Sequence, residues 1–271
     1  MWHIGIDLHR QTLVLAAVQD SGEVTTPQRI ECSDTAGIVS AFEKLKPFRA
    51  VVEATCSYRW LYRLLSPYGT VLLAHPLRLY AMCQRRSKSD RLDAQLLANL
   101  LRLNQIPLAY IPSESYQTLR DFTRYRATLS RQVAQAKLHL RQLLARENMN
   151  APYASPFGPR GLYWFSQQEF GPVGNQVREH AIERLRWTVA QCESVDKELE
   201  KARTQFAQVE ALTDLKGIGL FTALLIVGEF GDVTRFRRAK QAAAYTGLTT
   251  RTFQSAEHTR TGHISKQGSA F

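Results

Sequence analysis

Four carboxylates in the sequence could together carry out metal-dependent chemistry. Asp7 ends the apolar run Trp-His-Ile-Gly-Ile-Asp, and Glu53 ends a second run, Ala-Val-Val-Glu. Asp90 and Asp93 stand three residues apart at the start of a helical stretch, so both lie on one face of that helix. An acid at the end of a buried strand costs several kcal/mol unless a cation meets it. Brought together, the four would form an oxygen-rich site for one or two Mg²⁺ ions, the usual apparatus for chemistry on phosphodiesters.

Each acid also has a structural explanation when it is taken alone. Asp7 could be a turn residue after a strand, and Glu53 could cap the helix that follows it. Asp90 and Asp93 both suit the start of a helix, where negative charge is favourable. Only their joint occurrence, in the order of elements described next, favours a metal site.

The elements that must position these acids alternate between strand and helix over the first hundred residues. The residue pattern predicts strands at 2–8, 11–18, 24–31, 49–53 and 70–74. It predicts helices near 34–45 and 57–66, then a helix pair after His75-Pro76 whose second member carries Asp90 and Asp93. Three strands followed by α-β-α-β-α is the order of the ribonuclease-H-like fold, in which acids of the first and fourth strands meet a carboxylate on a late helix. We therefore predict an α/β domain of this kind over residues 1–107.

Two long helical tracts follow, at about 115–148 and 176–209, separated by a segment rich in Pro, Gly and aromatic residues. Apolar residues recur every seven positions in the first tract, from Phe122 through Leu129 and Ala136 to Leu143. This spacing predicts an antiparallel pair, a coiled-coil arm over residues 108–209. Between 124 and 146 the first tract carries no acid, which favours contact with an RNA or DNA backbone over a solvated face. The cations assigned to this contact are Arg124, Arg126, Arg131, Lys137 and Arg141.

The third section, residues 210–271, is predicted to be a small and mostly helical domain. Residues 212–223 resemble the hairpin of a helix-hairpin-helix element, because two glycines allow a tight turn and a close approach to phosphate. A plain turn between helices is the alternative. Residues 251–268 are polar and punctuated by glycine, and they are predicted to form a loop on phosphates, with contacts from Arg251, Arg260 and Lys266.

The overall composition agrees with a partner that is a polyanion. The 271 residues include 35 Lys and Arg against 24 Asp and Glu, a net charge of +11. A basic protein of this kind favours nucleic acid, although charge alone fits a merely basic soluble protein equally well. The four cysteines have no paired spacing, which argues against zinc and disulfides, and no apolar run has the length of a membrane span. We expect a cytoplasmic protein of a bacterial or archaeal cell, associated with the nucleoid and not with a membrane.

Taken in order, the motifs of the chain resemble those of the DEDD-type insertion-sequence transposases related to the Piv invertase, recombinases guided by a bridge RNA. Any one motif is weak, but the ordered set covers both ends and most of the chain. The motifs are Gly-Ile-Asp at 5–7, Glu-Ala-Thr at 53–55, Lys-Ser-Asp-Arg-Leu-Asp-Ala at 88–94, Lys-Gly-Ile-Gly at 216–219, Gly-Glu-Phe-Gly-Asp-Val-Thr-Arg-Phe at 228–236, Ala-Tyr-Thr-Gly-Leu at 244–248 and Gly-His-Ile-Ser-Lys-Gln-Gly at 262–268.

The resemblance implies a RuvC-like N-terminal domain, a coiled-coil arm and a C-terminal domain that holds a nucleophilic serine. Asp7, Glu53, Asp90 and Asp93 match the metal-binding tetrad, and Ser255 falls at the position of the serine. Without the resemblance, Ser255 would not be preferred over Ser265 or Ser269. The implied partners are donor and target DNA, a non-coding guide RNA, and further copies of the chain in a dimer or tetramer. Family members continue past the position of Phe271, so a shortened C-terminal domain is expected.

The function that the resemblance implies is RNA-guided DNA recombination. Ser255 would attack a DNA phosphate, and the acidic tetrad would hold Mg²⁺. The first alternative is a metal-dependent, structure-selective endonuclease of the junction-resolvase kind, which would direct water at the phosphate and need no serine. The second is a non-catalytic RNA- or DNA-binding protein whose acids are structural.

Overall fold

The computed structural model describes residues 1–55, 57–82, 89–255 and 258–271, without the side chains at 251, 252, 255, 258 and 259. The chain separates into two compact units, Met1–Ile111 and Pro112–Phe271. The predicted end of the first domain at 107 is close to this division. The predicted boundary at 209 falls inside the second unit and stays a prediction.

The first unit is built on a mixed six-stranded sheet in the order β3-β2-β1-β4-β5-β6. Strands β1, β4 and β5 run parallel, and β2, β3 and β6 are antiparallel to their neighbours. This topology is compatible with the predicted ribonuclease-H-like fold. Its strands are β1 (Trp2–Leu8), β2 (Thr12–Gln19), β3 (Gln28–Glu31), β4 (Phe48–Glu53), β5 (Thr70–Ala74) and β6 (Leu108–Ala109), and its helices are α1 (Thr35–Glu43), α2 (Tyr58–Leu65), α3 (Pro76–Met82) and α4 (Asp90–Arg102).

Helices cover both faces of this sheet, so alternate residues of a strand enter different cores. On one face, Ile4 and Ile6 of β1 pack with Phe42 of α1 and Leu65 of α2. On the other face, β2 packs against Ala94 of α4, and Val51 of β4 packs against Leu97 and Leu101 of the same helix. Burial on both faces explains why these strands are nearly continuous apolar runs in the sequence.

The five predicted strands are confirmed, with one difference in extent and one further short strand. The third strand was expected at 24–31 but begins at Gln28, and Val24 makes only an isolated bridge to Val18. Pro27 explains the late start, because proline has no N–H to donate to a ladder. The short strand β6 was not predicted, since a two-residue edge strand leaves no periodic pattern.

The second unit is mainly helical and is organised by two long antiparallel helices. These are α5 (Glu114–Arg146) and α7 (Gly171–Ala202). Leu129 in the first half of α5 packs with Val195 in the last half of α7, and Leu140 packs with Leu185 near the other end. The remaining elements are α6 (Pro159–Ser166), α8 (Gln208–Thr213), α9 (Leu220–Phe230), α10 (Ala239–Tyr245), β7 (Thr250–Ser255) and β8 (His258–Ile264).

The heptad pattern predicted the inner face of α5 with one exception. Leu129, Ala136 and Leu143 are buried, but Phe122 is 40% exposed. Leu119 and Thr123 are buried in its place, where the Thr123 hydroxyl donates to the carbonyl oxygen of Leu119 at 2.9 Å. Whether the pair forms a coiled coil stays a prediction.

The predicted loop at 251–268 is wrong over most of its length, because β7 and β8 form an antiparallel hairpin there. Residues 256–257 lie outside the described residues. Threonine is frequent in both strands, and β-branched residues favour extended backbone, which outweighs the polar, loop-like composition of the segment. The segment 212–223 does contain a turn between two helices, α8 and α9, with Gly217 at φ +94°. Across the described parts of the chain, no helix is long and apolar enough to span a bilayer.

Candidate functional site

Asp7 lies at the end of β1, on the face of the sheet that α4 covers. Gly5, two residues earlier on the same face, allows the helix to approach the strand closely. A β-carbon at position 5 would overlap the carbonyl oxygen of Ala94 and the amide nitrogen of Ala98. The glycine therefore brings the first turn of α4 close to the end of β1.

The first turn of α4 supplies two of the predicted acids. Ser89 caps the helix, and its hydroxyl accepts a hydrogen bond from the amide of Leu92 at 3.4 Å. Asp90 is the first helical residue and Asp93 follows one turn later. Lys88, which precedes the cap and belongs to the same sequence motif, lies outside the described residues.

A histidine joins two of these acids. The Nε2 atom of His9 lies 3.2 Å from Oδ2 of Asp7 and 3.3 Å from Oδ1 of Asp90. Arg29 Nη1 is 4.0 Å from the other oxygen of Asp90. In the portion of the chain that is described, Asp7, His9 and Asp90 are the one group of three potential metal-ligand atoms all within 4.8 Å of one another.

Negative charge is concentrated in this cluster. Burial raises the pKa of the Asp7 carboxyl, and the negative charges of Asp90 and Asp93 raise it further, while His9 opposes them. A divalent cation would relieve the repulsion between the acids. Carboxylate oxygens and an imidazole nitrogen are both acceptable donors to such an ion, so the residues present fit the divalent metal that the sequence predicts.

Glu53 occupies the expected strand end but not the tight cluster. It ends β4, the parallel neighbour of β1, in the register that pairs Ile6 with Val52. Its side chain is half-buried at the same edge of the sheet as Asp7. The role of all four acids as metal ligands stays a prediction, for Asp7 and Asp90 in the cluster as well as for Glu53 and Asp93 beside it.

The sequence interpretation missed His9. The signal that could have found it is the spacing Asp-x-His, because residues two apart at a strand end point to the same side. Beside the cluster lies an open cleft of about 460 Å³, lined by His9, Arg10, Gln11, Thr12, Arg29 and Asp90. Its two arginines and the carboxylate of Asp90 give this cleft the mixed charge expected where phosphate and cation meet.

The predicted nucleophile belongs to the second unit. Ser255 is the last residue of β7 and pairs with His258 of β8, and its side chain is not among those described. The same applies to the side chain of Arg251. Arg260, in β8, and Lys266, just after it, are exposed.

Two of the cations assigned to nucleic acid on α5 are instead paired within the unit. Arg124 donates two hydrogen bonds to Glu229 of α9, from Nε at 2.6 Å and from Nη2 at 2.9 Å. Arg126 does the same with Asp196 of α7, at 2.8 and 2.9 Å. The hydrogen bonds that the two guanidinium groups donate to these acids raise the pKa of both groups, against the effect of burial. The absence of acids between 124 and 146 therefore did not predict whether these arginines are paired, because the acids come from other helices.

The other three of the five α5 cations assigned to nucleic acid lie over aromatic rings. Arg131 lies 4.7 Å from the ring centre of Phe271, and Lys137 and Arg141 lie 5.6 and 5.1 Å from that of Phe157. Arg131 and Arg141 are exposed. Arg124 and Arg126 also lie over rings, of Phe271 at 5.1 Å and Phe221 at 5.2 Å, but their guanidinium groups are bonded to acids. Arg131, Lys137 and Arg141 therefore remain the better candidates for binding nucleic acid.

Comparison with known proteins gives concordant matches along the chain. Residues 4–149 match the family model of DEDD transposases of the IS110 type, described as "Transposase", and residues 209–271 match the model described as "Transposase IS116/IS110/IS902 family". A putative transposase of Sinorhizobium fredii is 27% identical over 98% of this chain and 68% of its own length. A probable family 20 transposase of Pseudomonas aeruginosa is 24% identical over 99% of this chain and 80% of its own. The transposase for insertion sequence element IS1328 of Yersinia enterocolitica is 19% identical over 98% of this chain and 78% of its own length.

Proposed function

Because this chain belongs to the DEDD-type IS110/IS116 family and is a DNA transposase of an insertion sequence, we propose that it acts as an RNA-guided serine recombinase. In this proposal, Ser255 is the nucleophile and the acids of the first unit bind Mg²⁺. The relation to the Piv invertase, a site-specific recombinase, forms part of the same proposal.

The proposed reaction is a pair of phosphoryl transfers without net oxidation or reduction. The Ser255 Oγ–P bond forms, the P–O bond to one DNA strand breaks, and the leaving oxygen takes up a proton as serine loses one. The free hydroxyl of another strand then attacks this phosphoserine link, forms the new P–O bond and releases the serine. Arg251, Arg260 and Lys266 belong to the same segment and would supply positive charge to the transition state.

The acids of the first unit would hold the metal, with Asp7 and Asp90 as the central pair and Glu53 and Asp93 beside them. Mg²⁺, when bound, supplies positive charge to a phosphoryl oxygen and to the leaving group. Asp7 and Asp90 keep that charge at the sheet edge, and Arg29 in the adjacent cleft would orient the phosphate.

The observation that carries the proposal is the convergence of Asp7 and Asp90, from a strand end and a helix start, within the part of the chain that matches the DEDD family. An acid held beside other acids in a half-buried position is costly as structure alone. It is useful where a cation must bind, which supports a catalytic reason for the cluster.

A trapping assay tests the serine. Labelled donor and target DNA, the cognate RNA and Mg²⁺ are combined with the protein, and denaturing gels reveal any covalent adduct. We expect an adduct with the native chain and none with Ser255→Ala. Ser265→Ala is a matched control, because the Ser265 hydroxyl donates a hydrogen bond to the carbonyl oxygen of Gly247 at 3.2 Å. We expect this variant to form the adduct as the native chain does. Cleavage without an adduct in every protein would favour the junction-resolvase alternative.

Guidance by RNA would let base pairing choose the target while the protein binds backbone shape. The net charge of +11 and the exposed cations of α5 support binding to a polyanion. Sequencing the RNA that copurifies with the chain tests this part. A guide should contain segments complementary to both donor and target, whereas a random mixture of cellular RNA would contradict the proposal.

Exchange of two duplexes requires several active sites, so we also propose a dimer or tetramer, with α5 and α7 as the coiled-coil arm that joins the copies. Light scattering of the chain with and without DNA measures the assembly. A monomer in the DNA-bound state would contradict this part of the proposal.

A further inference from the structure

We propose that His9 is a direct nitrogen ligand of the divalent ion, which makes the centre a mixed carboxylate–imidazole site instead of an all-oxygen tetrad. This inference rests on the proposed metal site in the first unit, but not on Ser255 or on the RNA. It adds a residue that the acidic motif does not contain.

Backbone hydrogen bonds hold His9 in place beside Asp7. His9 opens the turn between β1 and β2, and its amide donates to the carbonyl oxygen of Thr12 at 2.9 Å. Its own carbonyl oxygen accepts from the thiol of Cys32 at 3.7 Å. Because the turn is anchored to β2 and to the segment after β3, the imidazole is held on the same side as Asp7.

The distances around His9 are those between ligands of one ion. Two donor atoms that bind a metal at about 2.1 Å, with an angle between right and tetrahedral, lie roughly 3.0–3.4 Å apart. His9 Nε2 lies 3.2 Å from the Asp7 oxygen and 3.3 Å from the Asp90 oxygen. Replacing these direct interactions by a shared ion therefore needs only small shifts of three side chains.

The alternative role of His9 is that of a charge partner, an imidazolium that neutralises the two acids. The two roles predict opposite effects of removing the ring. A charge partner competes with the metal, so its loss would leave metal binding unchanged or make it tighter. A ligand contributes to binding, so its loss would weaken it.

A nitrogen donor also changes which metal binds. Imidazole suits Fe²⁺, Ni²⁺ and Zn²⁺ better than it suits Mg²⁺ or Ca²⁺, which prefer oxygen. Loss of His9 should therefore weaken Ni²⁺ binding by a larger factor than Mg²⁺ binding. A purely structural histidine would affect the two ions equally.

The test uses Mn²⁺ as the probe and the full chain without DNA. Titration followed by electron paramagnetic resonance gives the dissociation constant, and pulsed measurements detect a ¹⁴N nucleus bonded to the manganese. We expect a ¹⁴N signal in the native chain, its loss in His9→Ala, and Mn²⁺ binding that is weaker by about tenfold or more. His139→Ala is the matched control, because His139 is exposed on α5, and it should change neither.

The outcomes separate this inference from the proposed function. If Asp7→Asn abolishes Mn²⁺ binding while the native chain lacks a ¹⁴N signal, the metal site stands and the His9 inference falls. The same holds if His9→Ala binds Mn²⁺ as tightly as the native chain or more tightly. If Asp7→Asn has no effect on Mn²⁺ binding, the metal site lies elsewhere, and both the proposed metal site and the His9 inference are wrong. His9→Gln, which keeps a side chain that can hydrogen-bond the acids, is measured instead if circular dichroism shows that His9→Ala is unfolded.

Discussion

Arg124 and Glu229 form a two-point ion pair that joins helices α5 and α9 within the second unit. Arg120 supports it, with Nε 3.9 Å from a Glu229 carboxylate oxygen and with hydrogen bonds to the carbonyl oxygens of Gly228 and Glu229 at 3.0 and 2.9 Å. Gly228 packs against the backbone of Arg120 at this crossing. The pair therefore lies where two helices approach closely, and its removal should affect the whole unit.

Removal of the Glu229 carboxylate should destabilise the second unit. We expect Glu229→Ala to lower the free energy of unfolding by about 2 kcal/mol, less than the loss of a fully buried pair, because the Arg124 side chain is 39% exposed. Urea denaturation measures the change. Glu198→Ala is the control, since Glu198 is 51% exposed in its pair with Lys201 and should cost under about 0.5 kcal/mol. Equal effects of the two substitutions would contradict this account.

The same carboxylate should make stability depend on pH in the acid range. Burial raises the pKa of Glu229, but the hydrogen bonds and charge of Arg124 outweigh it, so the pKa is lowered from its ordinary value of 4.5. A lowered pKa contributes stability above about pH 4.5, and this contribution is lost as the pH falls through the folded-state value. Unfolding followed between about pH 6 and pH 3 should show a decline that Glu229→Gln flattens. An unchanged profile in the variant would assign the decline to other acids.

Gly5 should control the approach of α4 to β1. In Gly5→Ala the new methyl group would overlap the backbone of Ala94 and Ala98, so the helix must move away from the strand. We expect a loss of stability of about 1–3 kcal/mol and weaker binding of Mn²⁺, because Asp7 and Asp90 separate. Thermal unfolding and metal titration measure the two effects. Gly219→Ala, at a position with open space around it, should leave Mn²⁺ binding unchanged and cost under about 1 kcal/mol, because Gly219 is the N-cap residue of α9.

The cations of α5 should divide into those that bind nucleic acid and those that hold the fold. Arg131→Ala combined with Arg141→Ala should weaken RNA and DNA binding and reduce the salt slope of log K by about 1 for each phosphate that is no longer neutralised. Arg126→Ala should mainly lower stability, because it leaves Asp196 without its two hydrogen bonds from the guanidinium group. Filter binding over a range of salt concentrations measures the slope. If Arg126→Ala reduced the salt slope of log K and the Arg131→Ala, Arg141→Ala double variant did not, this division of the cations would be contradicted.

The sequence determined the elements of the first unit, since its central strands bury both faces and so are apolar runs. It also placed Asp7 and Glu53 at adjacent strand ends and Asp90 at a helix start, because local patterns fix where an element ends. The seven-residue spacing in α5 likewise predicted Leu129, Ala136 and Leu143 as buried. These features depend on neighbours in the chain, and the residue pattern records them directly.

Only the tertiary structure decided the partners of the charged side chains. His9 bridges Asp7 and Asp90 because a turn and a helix meet, whereas Arg124 and Arg126 pair with acids that lie 105 and 70 positions further along the chain. The hairpin at β7 and β8 also needed its cross-strand pairing to be recognised. Such interactions join residues that are distant in sequence, and the free energy of a charge depends on what surrounds it in space. Local pattern can show that a charge exists, but packing determines whether it meets a metal, a phosphate or another side chain.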